Sequence, residues 1–438
     1  MKRDARTIAD ELGHEGVTTV RLIYSDLHGV ARGKDIPIAA FGEAAGAGVP
    51  FCSAVLATDL RHTPVVDDDE TFGDLLARPD LDTLRIVPWQ PEVAWCVADL
   101  WSPDRSTRWP ACPRGALASV CERYADLGLS PTAGPELEFF LLERDPAAPR
   151  GVRRYVDTLS RSYTVGYVSD PRGVVVDMLD ACERLGLQAT TATHEFSNSQ
   201  YEITIGHSSA LDAADRGFLL KTAVKEMAVR AGLLATFMGK PFNDQGGSGF
   251  HVHLSLTAAD GRNAFADEAA PDGLSPLLPQ FVAGVLAHAS ALTALLAPTV
   301  NAYRRMVPNS LAPTRANWGH DDRIAFLRIP LERDRGARIE VRGGDAAAGA
   351  HLIVAGLLAA GLDGIEQALQ PPPAGDPAAP ALPRSLAAAL DQLEADATLV
   401  AALGPELVAT FVRLKRFEIE RFNAWVSDWE LDEYADHL

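Results

Sequence analysis

The hydrophobic and polar positions change their period along the chain, and the changes mark out elements. Residues 17–38, VTTVRLIYSDLHGVARGKDIPI, hold two β-rich runs around the polar turn SDLHG, the pattern of a hairpin. A further apolar run, GVPFCSAVLATDL, is followed by the acidic stretch VVDDDETFGD, whose simplest reading is a solvated loop. WSPDRSTRWPACPRG is dense in proline and polar residues and reads as a linker. Beyond it, GALASVCERYADLG and GVVVDMLDACERLG repeat apolar residues at helical spacing and stop at glycine, and RGFLLKTAVKEMAVRAGL is a further helix. QPPPAGDPAAPALPRS reads as a surface loop, and two or three helices are expected after it. No internal repeat is evident. Strands before residue 108 and alternating helices and strands after it predict an α+β chain of two parts, 1–108 and 109–438.

Residues 277–303 hold no Asp, Glu, Lys or Arg, but His288, Ser290, Thr293 and Pro298 interrupt the apolar run. A membrane span needs ~20 predominantly apolar residues, so a buried core helix is expected. The polar start, MKRDARTIADELGHEG, has no apolar signal core. Five scattered cysteines without a C-x-x-C fit a reducing cytoplasm and argue against a thiolate metal site. The net charge of −19 argues against nucleic acid or an anionic membrane as the main partner, while leaving room for an anionic metabolite held by a local arginine cluster.

Side chains alternate faces along a strand, and four runs then acquire one chemically loaded face each. PELEFFLL shows Glu136 and Glu138 together, and SQYEITI shows Gln200, Glu202 and Thr204. FHVHLSL shows His251, His253 and Ser255, and ARIEVRG shows Arg338, Glu340 and Arg342. Glu195 lies just upstream of the second run. Any one of these alone reads as a sheet with a solvated face, but such faces scatter Lys, Ser and Thr, and here Glu and His dominate. Converging carboxylates repel unless some protonate or cations intervene. Five glutamates and a histidine suit two Mg²⁺ or Mn²⁺ ions, which point to phosphoryl transfer or metal-assisted hydrolysis. Arg305, Arg323, Arg328, Arg338 and Arg342 add anion-binding capacity. Neither a P-loop nor a Rossmann glycine pattern is present, so a nucleotide site would be of another type.

Six motifs, GPELEFFLLE, HEFSNSQYEI, KPFNDQGGSGFHVHLSL, NAYRRMVPNSLAP, NWGHDDRIAFLRIP and ARIEVRGGD, resemble the glutamine synthetase family in order and spacing, over nearly the whole chain. The resemblance implies an N-terminal β-grasp domain and a catalytic domain with an open antiparallel β-barrel flanked by helices. It also implies a homo-oligomer, a dodecamer of two hexameric rings, with sites between subunits. Glu138, Glu195 and Glu202 resemble ligands of one metal, and Glu136, His251 and Glu340 ligands of the second, which bridges the ATP phosphates. His253 resembles a nucleotide-phosphate contact, Ser255 a residue near the adenosine, and Arg323, Arg328 and Arg338 phosphate ligands. Arg305 resembles the clamp on the substrate α-carboxylate, Arg342 the residue that meets the γ-carboxylate, and Gly247 a backbone position near the substrate amino group. Catalytic roles fall to Arg342, Arg323 and Glu340. The implied activity uses ATP to phosphorylate glutamate, after which an amine displaces phosphate.

Departures from the family pattern concentrate at the amine. Ammonia-using members have Glu where Leu311 stands and an Asp near the position of Cys52, and these two acids form their ammonium pocket. SNSQ replaces GPGQ, and Gly246 replaces Asn. The leading expectation is therefore a ligase joining glutamate to an amine larger than ammonia. The alternatives are an ordinary glutamine synthetase, a non-catalytic scaffold or regulator, and a metal-dependent amide hydrolase.

Overall fold

The computed structural model describes residues 4–66, 71–148, 151–157, 162–308 and 310–438. The acids of VVDDDE (67–70) lie outside the described residues, as does Asn309. The expected hairpin forms from β1 (Thr19–Ser25) and β2 (Ala31–Pro37), with Ser25 opposite Ala31. Its turn is closed by Asp26, whose Oδ1 accepts from the His28 and Val30 N–H groups at 2.9 Å. β3 (Val49–Cys52), β4 (Asp74–Pro79), β5 (Arg85–Val87) and β6 (Gln90–Trp101) complete a mixed sheet in the order β2-β1-β6-β4-β3, with β5 also on β6. β1 runs parallel to β6, and the other pairs are antiparallel. Helices Ala5–His14 and Ile38–Ala47 accompany this sheet, and Val20, Leu22, Phe41, Leu75 and Ala94 form its core.

The second sheet has ten strands. β7 (Leu129–Arg144), β8 (Val152–Arg154), β9 (Ala189–His194), β10 (Gln200–Ile205), β11 (Ser208–Ser209), β12 (Leu234–Thr236), β13 (Phe250–Ala258), β14 (Trp318–His320), β15 (Leu327–Ile329) and β16 (Ile339–Val341) follow along the chain. The path is β14-β15-β16-β13-β7-β10-β9, with β8, β11 and β12 also on β7. The sheet is mixed, not wholly antiparallel as expected, because β14 and β15 pair in parallel. Asp321, in the left-handed region at φ 51°, turns the chain out of β14, and residues 321–326 bring it back in the same direction.

The helices that flank this sheet include Pro113–Asp126, Ala210–Arg230 and Ala350–Glu366, the last buried along almost its whole length. The run 277–303 does not form one helix. It makes two, Leu277–Ala287 and Ala289–Leu296, bent by 75° at His288. The His288 imidazole sits between Asp396 (2.6 Å) and Asp363 (3.2 Å), polar partners that an unbroken apolar helix would not meet. Among the described residues no single helix is long and apolar enough to cross a membrane. Four helices, from Leu386 to Tyr434, close the chain where two or three were expected.

The stretch read as a linker is packed. Ala111 and Cys112 join the first core, and Arg114 is buried between the first sheet and the helix Ala210–Arg230. Its guanidinium reaches Asp99 at 2.6 Å and Asp80 at 2.7 Å on one side and Asp215 at 2.9 Å on the other. Asp215 also meets His351 Nε2 at 2.8 Å. A guanidinium taken out of water needs such surrounding carboxylates, and here they tie the first sheet to the helices behind the second.

Candidate active site

Strand register builds the floor of the site. β7 lies between β13 and β10, with Glu136 opposite His251 and Glu138 opposite Glu202. His253 on β13 faces Glu340 on β16, which in turn faces Arg328 on β15. Directly opposed residues share a face, so the four loaded faces of the sequence become one surface. Glu136, His251 and Glu340 each offer a ligand atom within 4.8 Å of the others, and so do Glu138, Glu202 and His251. The first trio matches one expected metal set. In the second, His251 completes the trio with Glu138 and Glu202, while Glu195 lines the same cavity.

The donors fit divalent cations. Burial, with the charges of Glu138 and Glu136, pushes Glu195 up to about 7. Burial, with Glu136, Glu138 and Glu195, pushes Glu202 up to about 9. Burial acts the same way on Glu136 and Glu340 but is outweighed: by hydrogen bonds from His251 and His253 at Glu136, and by the charges of His251 and Arg342 with the Arg328 hydrogen bond at Glu340. Such crowded carboxylates gain from a hard cation with oxygen and imidazole donors. Gly249 keeps the space open, because a Cβ there would lie 3.0 Å from His251 Nε2 and 3.1 Å from Glu138 Oε1.

Neighbouring groups aim the donors. Glu138 Oε2 accepts from Gln200 Nε2 and from the Gly249 N–H, both at 2.8 Å, leaving Oε1 toward His251. Arg338 Nε donates to His253 Nδ1 at 3.1 Å, which places the His253 proton on Nε2, 2.9 Å from Glu136 Oε1. Glu340 is 1% exposed and held by Arg328 at 2.6 Å and by Arg342.

The expected arginines divide by location. Arg305, Arg323 and Arg342 line the carboxylate cavity of about 350 Å³, and Arg342 Nε is fixed by the Arg323 carbonyl at 2.8 Å. Arg305 is buried, donates to the Gly344 carbonyl, and has Nε 3.6 Å from Asp345 Oδ2. Gly247 must lack a side chain, since a Cβ there would come within 2.4 Å of the Gly239 carbonyl oxygen and 2.6 Å of Arg305 Cγ. Arg338 lines an adjoining cavity of about 330 Å³ with His253 and Ser255, and Glu136 is common to both cavities. Arg328 lines neither cavity; its Nε donates to Asp321 at 2.9 Å while Nη1 braces Glu340.

Sequence reasoning missed Arg335, which lines the adjoining cavity and could have been counted with its arginine neighbours. It also missed Tyr163, Phe196 and Ile324, which form an apolar wall of the carboxylate cavity with Leu311 and Ala312. These sit on loops and show no periodic signal. Leu311 is 53% exposed and has φ 62°, unusual for a branched side chain. In the SNSQ loop, Ser197 Oγ accepts the Gly246 N–H at 2.8 Å, joining the two departures. Cys52 ends β3 as an exposed thiol and does not line the cavity that contains Leu311.

Residues 110–434 match the family model for the glutamine synthetase catalytic domain. The chain belongs to the glutamine synthetase family. It is an ATP-dependent ligase that forms carbon–nitrogen bonds, and the family works with ATP and divalent metals. It is 33% identical to the glutamine synthetase of Thermotoga maritima, over 98% of each chain. It is 36% identical to the gamma-glutamylethanolamide synthetase GlnA4 of Streptomyces coelicolor, over 95% of this chain and 92% of that one. The solved GmaS/ADP complex superposes with a TM-score of 0.88 at 34% identity, covering 99% of both chains.

Proposed function

We propose that this glutamine synthetase relative activates the γ-carboxylate of L-glutamate as γ-glutamyl phosphate and joins it to an amine other than ammonia, giving a γ-glutamylamide, ADP and phosphate. The observation that carries this reading is Leu311. It stands with Phe196, Ile324 and Ala312 on the wall of the cavity that also holds the carboxylates and Arg305, Arg323 and Arg342. An ammonium pocket needs negative charge at that wall, whereas an organic amine gains from apolar lining. The gamma-glutamylethanolamide synthetase name of the GlnA4 relative supports the same direction.

In this reading Arg305 holds the glutamate α-carboxylate and Gly247 leaves room for its amino group. A γ-carboxylate oxygen attacks the terminal phosphorus of ATP, and ADP departs. Arg342 and Arg323 meet the negative charge that gathers on the transferred oxygens. The amine nitrogen then attacks the acyl carbon, phosphate leaves, and the amine gives up a proton. Glu136, His251 and Glu340, and Glu138, Glu195 and Glu202, would hold two Mg²⁺ or Mn²⁺ ions, which supply charge neutralisation at the phosphates. His253, Ser255 and Arg338 serve the nucleotide side, and Arg328 acts there through Glu340, which it braces. We further propose a β-grasp domain at 1–108, a barrel-type catalytic domain at 109–438, and a cytoplasmic dodecamer in which Cys52 of one subunit approaches Leu311 of another. The five free thiols support a reducing compartment.

The test is phosphate release with glutamate, ATP and a panel of amines. An organic amine should exceed ammonia in kcat/KM, and ammonia equal to the best amine would sink the reading. The competing reading, an ordinary glutamine synthetase, draws on the Thermotoga relative's name.

A further inference from the structure

The carboxylate cavity shares part of its wall with another. Tyr163 and Thr193 line it and also line a second cavity of about 540 Å³, between residues 163–177 and β9. β9 is the last strand on the sheet's path, and the Tyr163 N–H donates to its His194 carbonyl at 2.9 Å. Thr193 is paired with Glu202 and so faces the carboxylates, while Ala192, His194 and Tyr201 face the other way and line only the second cavity. The second cavity therefore lies around the edge of the sheet from the carboxylates, and the two cavities meet at Tyr163 and Thr193.

The walls of the two cavities differ. Val165, Tyr167 and Val176 are 83%, 79% and 66% exposed, a group of apolar side chains of the kind that marks a binding surface. Asp170 is already engaged, accepting from the Tyr155 hydroxyl at 2.9 Å and from the Val174 and Val175 N–H groups at 3.0 and 2.8 Å. Arg172 and Asp177, also on this cavity, carry opposite charges. The Asp170 carboxylate oxygens are taken up by those donors and Asp177 is offset by Arg172, so the lining offers a cationic tail little to bind, while an uncharged apolar tail finds walls to cover. The volume suits a group of aryl size.

We propose that this second cavity holds the organic substituent of the amine. The nitrogen sits at the carboxylate end beside Leu311 and Phe196, and the tail passes Tyr163 and Thr193 onto Val165, Tyr167 and Val176. The substrate class is a primary amine with an uncharged apolar tail, aryl or several carbons long. The inference rests on the amine-ligase reading and adds the substrate class to it. The wall shared with the reaction cavity at Tyr163 and Thr193 favours this occupant over a second copy of the chain.

The experiment compares kcat/KM for phenethylamine, butylamine, methylamine, putrescine and ammonia, with glutamate and ATP saturating, in wild type and in Val176→Asp. Val176 is on the outer surface of its helix, so the substitution spares the core, and Tyr167→Ser is a second variant should the first not fold. Phenethylamine should exceed methylamine at least about tenfold, the discrimination that added apolar contact supplies. Val176→Asp should lower that ratio about tenfold, through KM. Equal values for long and short amines, or a ratio unchanged in the variants, overturns the assignment. If methylamine or putrescine is best, the amine-ligase reading stands and the tail cavity falls. If ammonia is best, the amine-ligase reading itself fails. A change in oligomeric mass on Val176→Asp by mass photometry would assign the surface to a second copy and overturn the proposal.

Discussion

On the carboxylate side of the cavity, the side chains sit mainly on paired strands and are held by partners. Glu138 is fixed by Gln200 and Gly249, and Glu340 is buried between Arg328 and Arg342. On the amine side, Leu311, Tyr163 and Phe196 stand on loops, 53%, 69% and 64% exposed, and Leu311 and Tyr163 adopt positive φ. Strand register cannot change by small steps without turning every side chain over. Loop residues can change singly. The contrast gives a division of labour: the sheet supplies geometry for phosphoryl transfer, and the loops supply the choice of nucleophile.

The sharpest way to break this contrast is Glu340→Ala. It removes a candidate metal donor and the partner of two arginines, so ADP formation should fall roughly 10²–10³-fold in a coupled assay; a loss under tenfold would deny the sheet its role. Next is Gly247→Ala, whose Cβ would collide with the Gly239 carbonyl and the Arg305 stem. KM for glutamate should rise about tenfold, and thermal melts should report a cost of about 1–3 kcal/mol. Leu311→Glu probes the loop side alone. It should raise ammonia use relative to the best amine by about tenfold, equivalent to ~1.4 kcal/mol, with Mn²⁺ affinity by titration unaffected. No gain in ammonia use would favour an ordinary glutamine synthetase.

The smallest effect belongs to a control remote from both halves. Burial opposes charge on His288, but hydrogen bonds and charge from Asp396 and Asp363 outweigh it and raise its pKa above 6.5. A raised folded value stabilises fully below the unfolded pKa, and the contribution disappears as pH rises through the folded value. His288→Gln should therefore lower Tm more at pH 6 than at pH 9, by an amount corresponding to about 1 kcal/mol or less. A Tm difference independent of pH would remove the imidazolium from the account.

Legibility followed the range of the physics. The faces bearing Glu136 and Glu138, or His251 and His253, were readable because alternation in a strand is local covalent geometry. The hairpin at Asp26 was readable for the same reason, since its turn is closed by its own residues. The bend at His288 was not, because its partners Asp363 and Asp396 lie far along the chain. Nor was the burial of Arg114, whose carboxylates come from the first sheet and its edge (Asp99, Asp80) and from the helix Ala210–Arg230 (Asp215).

Taken alone, the sequence determined the kinds of donor, their grouping on strand faces, the arginine complement and the missing acid at Leu311. Tertiary structure decided the register that sets Glu138 against Glu202, the sharing of His251 between two donor trios, and the use of Arg328 as a brace. It also decided that the segment 163–177 would open a second cavity around β9. Side-chain alternation is written into each residue's backbone, whereas register and loop path depend on which distant apolar surfaces pack together.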